Sequence, residues 1–237
     1  MSPVSLTIVL PCYNPLDGWA TNITGCFALL KNELPGTRLI LVNDGSRTLN
    51  AESVSNAFAG HNDIRVVSYT TNQGKGYALR QGIKEADTDL IIYTDVDFPY
   101  THDSFIKIYR ALTDGKTDVA IGTRGDEYYT HLPKARVCIS KLLRWFIKKF
   151  LRIPTDDTQC GLKGMNRAGK EVFMQTTINR YLFDLEFVFL SARKKLSIKT
   201  VEVQLRPEVV LSKMNFTVLS QEFGNFLKIF LKSIFSL

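Results

Sequence analysis

Two carboxylates stand two residues apart at the end of an apolar run, in Leu90-Ile91-Ile92-Tyr93-Thr94-Asp95-Val96-Asp97. At a strand terminus such a pair converges on one hard cation when the chain turns there. Magnesium or manganese held between them would bridge to a diphosphate, neutralise it and stabilise it as a leaving group. Aspartate is also a common turn residue, so the motif taken alone reads more simply as a solvated turn.

Two further features match that chemistry and are equally weak in isolation. Asp44 closes the apolar run Arg38–Val42 and is placed either to accept hydrogen bonds from a base or ribose or to form a turn with Gly45. Gly74-Lys75-Gly76 opens a helical pattern, where backbone N–H groups and a lysine can approach a phosphate. The same three residues also suit an ordinary loop.

The elements that must position these residues follow from patterning. Short apolar runs at Leu6–Leu10, Arg38–Val42, Ile64–Tyr69, Leu90–Thr94 and Val119–Gly122 read as buried strands. Between them, helices are predicted at about Gly18–Asn32, broken by Pro35-Gly36, at about Asn50–Ala59, and from Gly76 to about Glu85. A loop and helix over 154–195 and a strand at Ile198–Leu205 follow. This βαβαβ rhythm predicts an α/β fold with a mostly parallel sheet covered by helices on both faces. Ligands of such sheets bind beyond the carboxyl ends of the strands. The polar loops 11–14, 43–46, 72–76 and 95–97 all fall there, so one shared site is expected.

In order and spacing, four motifs carry a definite resemblance: Val9-Leu10-Pro11-Cys12-Tyr13-Asn14, Val42-Asn43-Asp44-Gly45-Ser46, Asn72-Gln73-Gly74-Lys75-Gly76-Tyr77-Ala78 and Asp95-Val96-Asp97. Together they resemble the nucleotide-binding half of family 2 glycosyltransferases, over roughly residues 5–125. The resemblance implies a glycosyltransferase-A (Rossmann-like) fold. It assigns Pro11, Tyr13, Asn14 and Asp44 to the nucleoside, Lys75 to its vicinity, and Asp95 and Asp97 to ribose and metal (Mg2+ or Mn2+). Downstream, Gly122-Thr123-Arg124, Arg136 with Ser140, Asp157-Thr158-Gln159-Cys160-Gly161-Leu162-Lys163, Phe183-Asp184-Leu185-Glu186 and Ser212-Lys213 resemble the dolichyl- or undecaprenyl-phosphate sugar transferases. A nucleotide-sugar donor and a polyprenyl-phosphate acceptor are then implied. UDP-glucose is favoured because Asp157–Gly161 resembles the glucosyl branch, and GDP-mannose comes next.

The chain departs from that pattern in three ways. Pro99 stands where a Gln metal ligand often follows in the subfamily, leaving more of the metal shell to diphosphate and water. The QxxRW-type motif of processive synthases is missing. So are the C-terminal membrane-spanning helices that many relatives carry.

The expected reaction is displacement at the anomeric carbon with inversion. A hydroxyl acceptor needs a general base, for which Asp157 and Asp184 are candidates. A phosphate monoester, with a second pKa of about 6, needs none. Arg124, Arg206 and Lys213 are candidate clamps for the phosphates. Arg136 and Ser140, four residues apart, share one helix face that suits the acceptor phosphate or simply a solvated basic helix. Asp184 and Glu186 read alternatively as acidic residues favoured at a helix N-terminus.

Composition is consistent with this reading without selecting it. The 237 residues carry a net charge of +7, with 45% hydrophobic and 22% charged residues, which suits one ordinary globular domain with an anionic partner. Residues 134–152 hold seven basic and no acidic residues. Val137, Leu142, Trp145, Phe146 and Phe150 form a stripe there, flanked by cations, which reads as an interfacial membrane helix or as a core-packing helix with a solvated face. Nucleic acid is disfavoured, since the aromatics follow the apolar stripe rather than a stacking platform. The expected organisation is a catalytic domain over 1–212, including the basic helix, and an amphipathic segment over 213–237. That segment would lie on the membrane or on another subunit of a homo-oligomer. No run of 18 uncharged apolar residues occurs. The N-terminus lacks a leader pattern, and Cys12, Cys26, Cys138 and Cys160 show no metal spacing. A cytoplasmic protein, peripheral on the inner membrane face, is therefore expected. The alternatives are a glycosyltransferase acting on a sugar hydroxyl and a non-catalytic nucleotide-sugar-binding protein.

Overall fold

Strand β1 (Leu6–Cys12) is buried at every residue, which requires cover on both faces. The computed structural model, which describes residues 4–125, 153, 155, 157–207, 209, 224–227, 229 and 230, provides it. Helix α1 (Trp19–Glu33) leads to β2 (Arg38–Asp44), α2 (Ala51–Asn56) to β3 (Ile64–Tyr69), and α3 (Lys75–Glu85) to β4 (Leu90–Tyr93). Then come α4 (His102–Thr113), β5 (Val119–Arg124), β6 (Lys163–Met165), α5 (Arg167–Phe173), α6 (Phe183–Arg193) and β7 (Ile198–Val203).

The seven strands form one sheet in the order β3-β2-β1-β4-β6-β5-β7. All neighbours are parallel except β6, which runs antiparallel to both β4 and β5. Side chains alternate between the faces with period two. Ile8, Leu10, Leu39, Leu41 and Ile92 face a cluster with Ile23 and Phe27 of α1 and Phe105, Ile108 and Leu112 of α4. Val9, Ile40, Val42, Ile91 and Tyr93 face a second cluster with Leu79 and Ile83 of α3, Phe173 of α5 and Phe183 and Phe187 of α6. Each such buried side chain contributes about 1.5–3 kcal/mol of transfer free energy, so packing rather than helix propensity holds these short helices.

Two features of the sheet shape the site. The chain proceeds from β1 through β2 to β3 on one side and resumes at β4 on the other, so the connections diverge between β1 and β4 and leave a crevice at their carboxyl ends. The β1–β4 ladder also stops early. Its last pair is Val9 with Tyr93, followed by the bond from the Thr94 N–H to the Val9 carbonyl. Two residues on, the same edge of β1 presents Pro11, which has no N–H to extend the ladder.

Strand β6 and helix α4 lie outside the elements expected from patterning. Residues 134–152, where the basic interfacial helix is expected, lie outside the described residues. Of 213–237, residues 224–227 and 229–230 are described and helical. Ile229 is fully buried in the second cluster, Phe226 packs against it, and Leu227 is 45% exposed. Among the described residues no helix is long and apolar enough to cross a membrane.

Candidate active site

Three loops at the carboxyl ends of β1, β2 and β3 are tied into one wall. Asn14, held at φ 45°, donates its N–H to Ser46 Oγ (3.0 Å) and accepts from the Arg47 N–H through Oδ1 (2.8 Å). Asp44 is buried, and its carboxylate accepts from the Gln73 N–H (2.8 Å), the Gly74 N–H (2.9 Å) and Asn72 Nδ2 (2.8 Å). Burial and the Asp44 charge push the Tyr69 phenol above its ordinary range. Against this wall lies an open cleft of about 410 Å³ lined by Tyr13, Gly45, Arg47, Thr70, Thr71 and Asn72. Tyr13 is exposed at its edge, whereas Pro11 is buried inside β1.

The glycines of the 72–76 loop serve packing. A Cβ on Gly74, whose φ is 102°, would meet the Asn179 carbonyl at 2.5 Å, and one on Gly76 would meet the Ile178 carbonyl at 2.5 Å. The first amides of α3 are also engaged, because the Gly76 N–H donates to that Asn179 carbonyl (2.7 Å). Glu186 braces the same turn, accepting from the N–H groups of Thr177 and Ile178 (both 2.8 Å). The expected approach of phosphate to this helix start is therefore filled by protein, and what reaches the crevice is the Lys75 side chain.

Lys75 Nζ lies 2.5 Å from Asp95 Oδ1. Burial pulls the lysine pKa down, but the charges of Asp95 and Asp184 outweigh it, and the net shift is upward. The turn from Asp95 is closed by the Phe98 N–H donating to the Asp95 carbonyl (3.0 Å). Phe98 takes a left-handed φ of 49°, costly for a bulky residue, and is held by burial against Phe105 with ring centroids 5.5 Å apart. The Asp97 carbonyl accepts from Asn22 Nδ2 (2.9 Å) and Arg206 Nη2 (3.4 Å). The Arg206 guanidinium also donates to Asn22 Oδ1 (3.2 Å), so it braces the turn from the α1 side.

Asp97 is exposed as a residue, yet partial burial of its carboxyl raises its pKa, and the Asp95 charge adds to the shift. Carboxylates that repel each other in this way fit a hard divalent cation, which relieves the repulsion through oxygen ligands. Among the described residues no group of three or more His, Cys, Asp or Glu side chains converges.

Across the crevice the 157–161 segment comes back against Asp95. A Cβ on Gly161 would lie 2.7 Å from Asp95 Oδ2. The segment is pinned at both ends. Asp157 is buried and accepts from the Arg124 N–H (2.9 Å), Nε (3.0 Å) and Nη2 (2.6 Å), while the Gly161 N–H donates to the Tyr100 hydroxyl oxygen (2.9 Å). Beneath it, the fully buried Lys163 donates to Asp184 Oδ1 (2.7 Å) and to the Cys160 carbonyl (2.5 Å). Asp184 Oδ1 also accepts from Tyr93 (2.7 Å), and burial followed by the Asp184 charge pushes that phenol upward.

Lys75, Asp95 and Asp184 are thus brought together, and Asp97 follows Asp95 in the same turn. The Arg124–Asp157 pair anchors the segment that meets Asp95, and buried Asp44 ties the 72–74 loop into the wall that holds Asn14, with Tyr13 at the cleft edge. Arg206 joins them from behind the turn. Arg136, Ser140 and Lys213 lie outside the described residues. Sequence reasoning missed Asn22, Tyr93, Tyr100 and Lys163. Only Lys163 left a signal, as a lysine inside a motif whose neighbours are apolar or small.

The family model for glycosyl transferase family 2 matches residues 7–171. The dolichyl-phosphate beta-glucosyltransferase of Trichomonas vaginalis is 27% identical over 238 residues, covering 91% of this chain and 68% of that protein. The enzyme of the same name from Saccharomyces cerevisiae is 27% identical over 237 residues, with 91% and 70% covered. Among solved structures, glucosyl-3-phosphoglycerate synthase of Mycobacterium tuberculosis, in complex with Mn2+, UDP and glucosyl-3-phosphoglycerate, matches with a TM-score of 0.64 at 17% identity. That match covers 97% of this chain and 80% of the other. Mannosyl-3-phosphoglycerate synthase of Rubrobacter xylanophilus gives 0.65 at 16% identity, with 95% and 72% covered.

Proposed function

Because the chain belongs to glycosyl transferase family 2 and has the glycosyltransferase-A fold, we propose that this glycosyltransferase moves a hexose from a nucleotide-sugar to polyprenyl phosphate at a membrane surface. UDP-glucose is the favoured donor, in keeping with the relatives named dolichyl-phosphate beta-glucosyltransferase, and GDP-mannose is the next.

The observation that carries the acceptor assignment is the state of the two candidate bases. Asp157 already accepts three hydrogen bonds from Arg124, and Asp184 is held by Lys163 and Tyr93. Carboxylates so engaged suit positioning better than proton abstraction. A phosphate monoester is largely dianionic at neutral pH and attacks without a base. Its oxygen forms the new bond to the anomeric carbon as the bond to the diphosphate oxygen breaks. The electron pair leaves with the nucleoside diphosphate, and the configuration inverts.

Tyr13, Asn14 and Asp44 shape the nucleoside wall, with Pro11 fixing the strand beneath it. Lys75 and Arg124 bring positive charge to the phosphates, and Arg206 keeps the Asp95–Asp97 turn in place. Asp95 and Asp97 would hold Mg2+ or Mn2+, which when bound neutralises the diphosphate leaving group. Arg136, Ser140 and Lys213 remain the candidates for the acceptor phosphate. The basic stripe of 134–152 supports peripheral binding at a cytosolic membrane face. The C-terminal segment, docked through Phe226 and Ile229, offers Leu227 to that surface or to a second copy of the chain.

A radiolabelled-sugar transfer assay tests the reading, with polyprenyl phosphate, UDP- and GDP-sugars in parallel, and Mg2+ or Mn2+. Label entering the organic phase with one donor and lost on chelation is the expected result. Donor binding without lipid labelling would transfer the assignment to a hydroxyl acceptor.

A further inference from the structure

Buried polar atoms almost always find partners, so those that do not call for an explanation. Three such atoms lie in the two segments that meet where Gly161 approaches Asp95: Thr94 Oγ1, Thr158 Oγ1 and Gln159 Nε2 are buried and have no hydrogen-bond partner among the described residues. Thr94 and Thr158 are buried as whole residues. Thr94 immediately precedes Asp95. Thr158 and Gln159 lie in the segment pinned between the Arg124–Asp157 pair and the contact of Gly161 with Asp95. This segment is otherwise held tightly, and its neighbours Asp157, Cys160 and Gly161 are all engaged.

The sheet order says which part of the donor this segment would meet. The nucleoside wall stands at the ends of β1, β2 and β3, and Asp95 and Asp97 follow at β4. The 157–161 segment comes next, leading into β6 and clamped to the end of β5. A nucleotide-sugar is linear in the same sense: base and ribose, then diphosphate, then hexose. With its diphosphate at Asp95 and Asp97, its hexose falls beside 157–161.

We propose that Thr158 and Gln159 form the hexose-recognition subsite, their hydroxyl and amide pairing with hydroxyl groups of the transferred sugar. This rests on the proposed function for the identity of the donor but not for that of the acceptor. Sugar hydroxyls both donate and accept, which matches a threonine hydroxyl beside an amide N–H. The cost of leaving these atoms unpaired in the free protein is recovered only when the sugar enters. A site built in this way rejects analogues that lack the matching hydroxyl.

The test is calorimetric and needs no acceptor. Affinities of UDP-glucose against UDP, and of GDP-mannose against GDP, are measured for the wild type, Thr158→Val and Gln159→Leu. Each variant should weaken the nucleotide-sugar that binds by about tenfold and leave the bare nucleotide unchanged, the size of one lost hydrogen bond to a ligand. Thr158→Val should also unfold at the same or a higher temperature than the wild type without ligand, since it removes an unpaired buried hydroxyl. Parallel weakening of sugar-bearing and bare nucleotides, or no change in either, overturns the subsite. If the wild type binds no nucleotide-sugar, both this subsite and the proposed function fall. If donor binding responds as expected and no lipid is labelled, only the acceptor assignment fails.

Discussion

Lys75 Nζ sits 2.5 Å from Asp95 Oδ1, so in the free protein the lysine occupies the side of the carboxylate pair that faces α3. A cation at Asp95 and Asp97 would have to share Asp95 with it. Lys75→Met should therefore bind Mn2+ more tightly than the wild type in the absence of nucleotide, as read by electron paramagnetic resonance. Sugar transfer by the same variant should fall by about tenfold or more, because a charge-assisted contact to the donor phosphates is worth about 1.5–3 kcal/mol. Mn2+ affinity that drops together with activity would show that Lys75 supports the metal site instead of competing with it.

Gly76→Ala separates packing from phosphate binding at the start of α3. Its Cβ would lie 2.5 Å from the Ile178 carbonyl and 2.7 Å from Phe183 Cβ, so backbone must shift. Overpacking of this kind costs about 1–3 kcal/mol. Urea denaturation without ligand should show that loss in full, and UDP should not enlarge the difference. A variant as stable as the wild type that binds UDP poorly would restore the phosphate-loop reading.

Lys163 and Asp184 form an ion pair with almost no exposed surface. Breaking a buried pair from one side strands the other charge and costs about 3–5 kcal/mol. Lys163→Met and Asp184→Leu should each be strongly destabilising, while the double variant should lose clearly less than the sum. Additive losses in chemical denaturation would mean that the two residues are held independently.

The parts of this molecule legible in the sequence are those encoded locally. Strands β1, β2 and β4 announce themselves because both of their faces are buried, so their apolar runs are unbroken. Asp44, Asp95 and Asp97 are legible through their order and spacing with the neighbouring motifs, since each taken alone reads equally well as a turn residue. Helix α4 also had a signal, in the spacing of Phe105, Ile108 and Leu112. Strand β6 had none, because Lys163 and Gly164 look polar and flexible until Asp184, 21 residues later, neutralises the lysine. The pairings of Lys75 with Asp95 and of Arg124 with Asp157 depend on loops meeting across the sheet. The glycines of 74–76 show the same limit. A phosphate and a neighbouring carbonyl ask for the same absence of a Cβ, and only the fold shows which is there.

Asp114 offers a prediction on pH. It closes the turn after α4, accepting from the Lys116 N–H (2.9 Å), Lys199 Nζ (3.0 Å) and the Thr117 hydroxyl (3.2 Å). These contacts favour the charged form, and the Lys116 N–H leads in lowering its pKa from 3.8 to about 2. A carboxyl whose pKa is lower in the folded than in the unfolded chain binds fewer protons when folded, so its stabilisation is complete above the unfolded value. It fades as pH falls through the folded value. Asp114→Asn should therefore melt below the wild type at pH 5 to 7, with the gap narrowing under about pH 4 and closing near pH 2. A gap that stays constant across this range, measured by thermal denaturation at matched ionic strength, would assign the loss to turn geometry and not to charge.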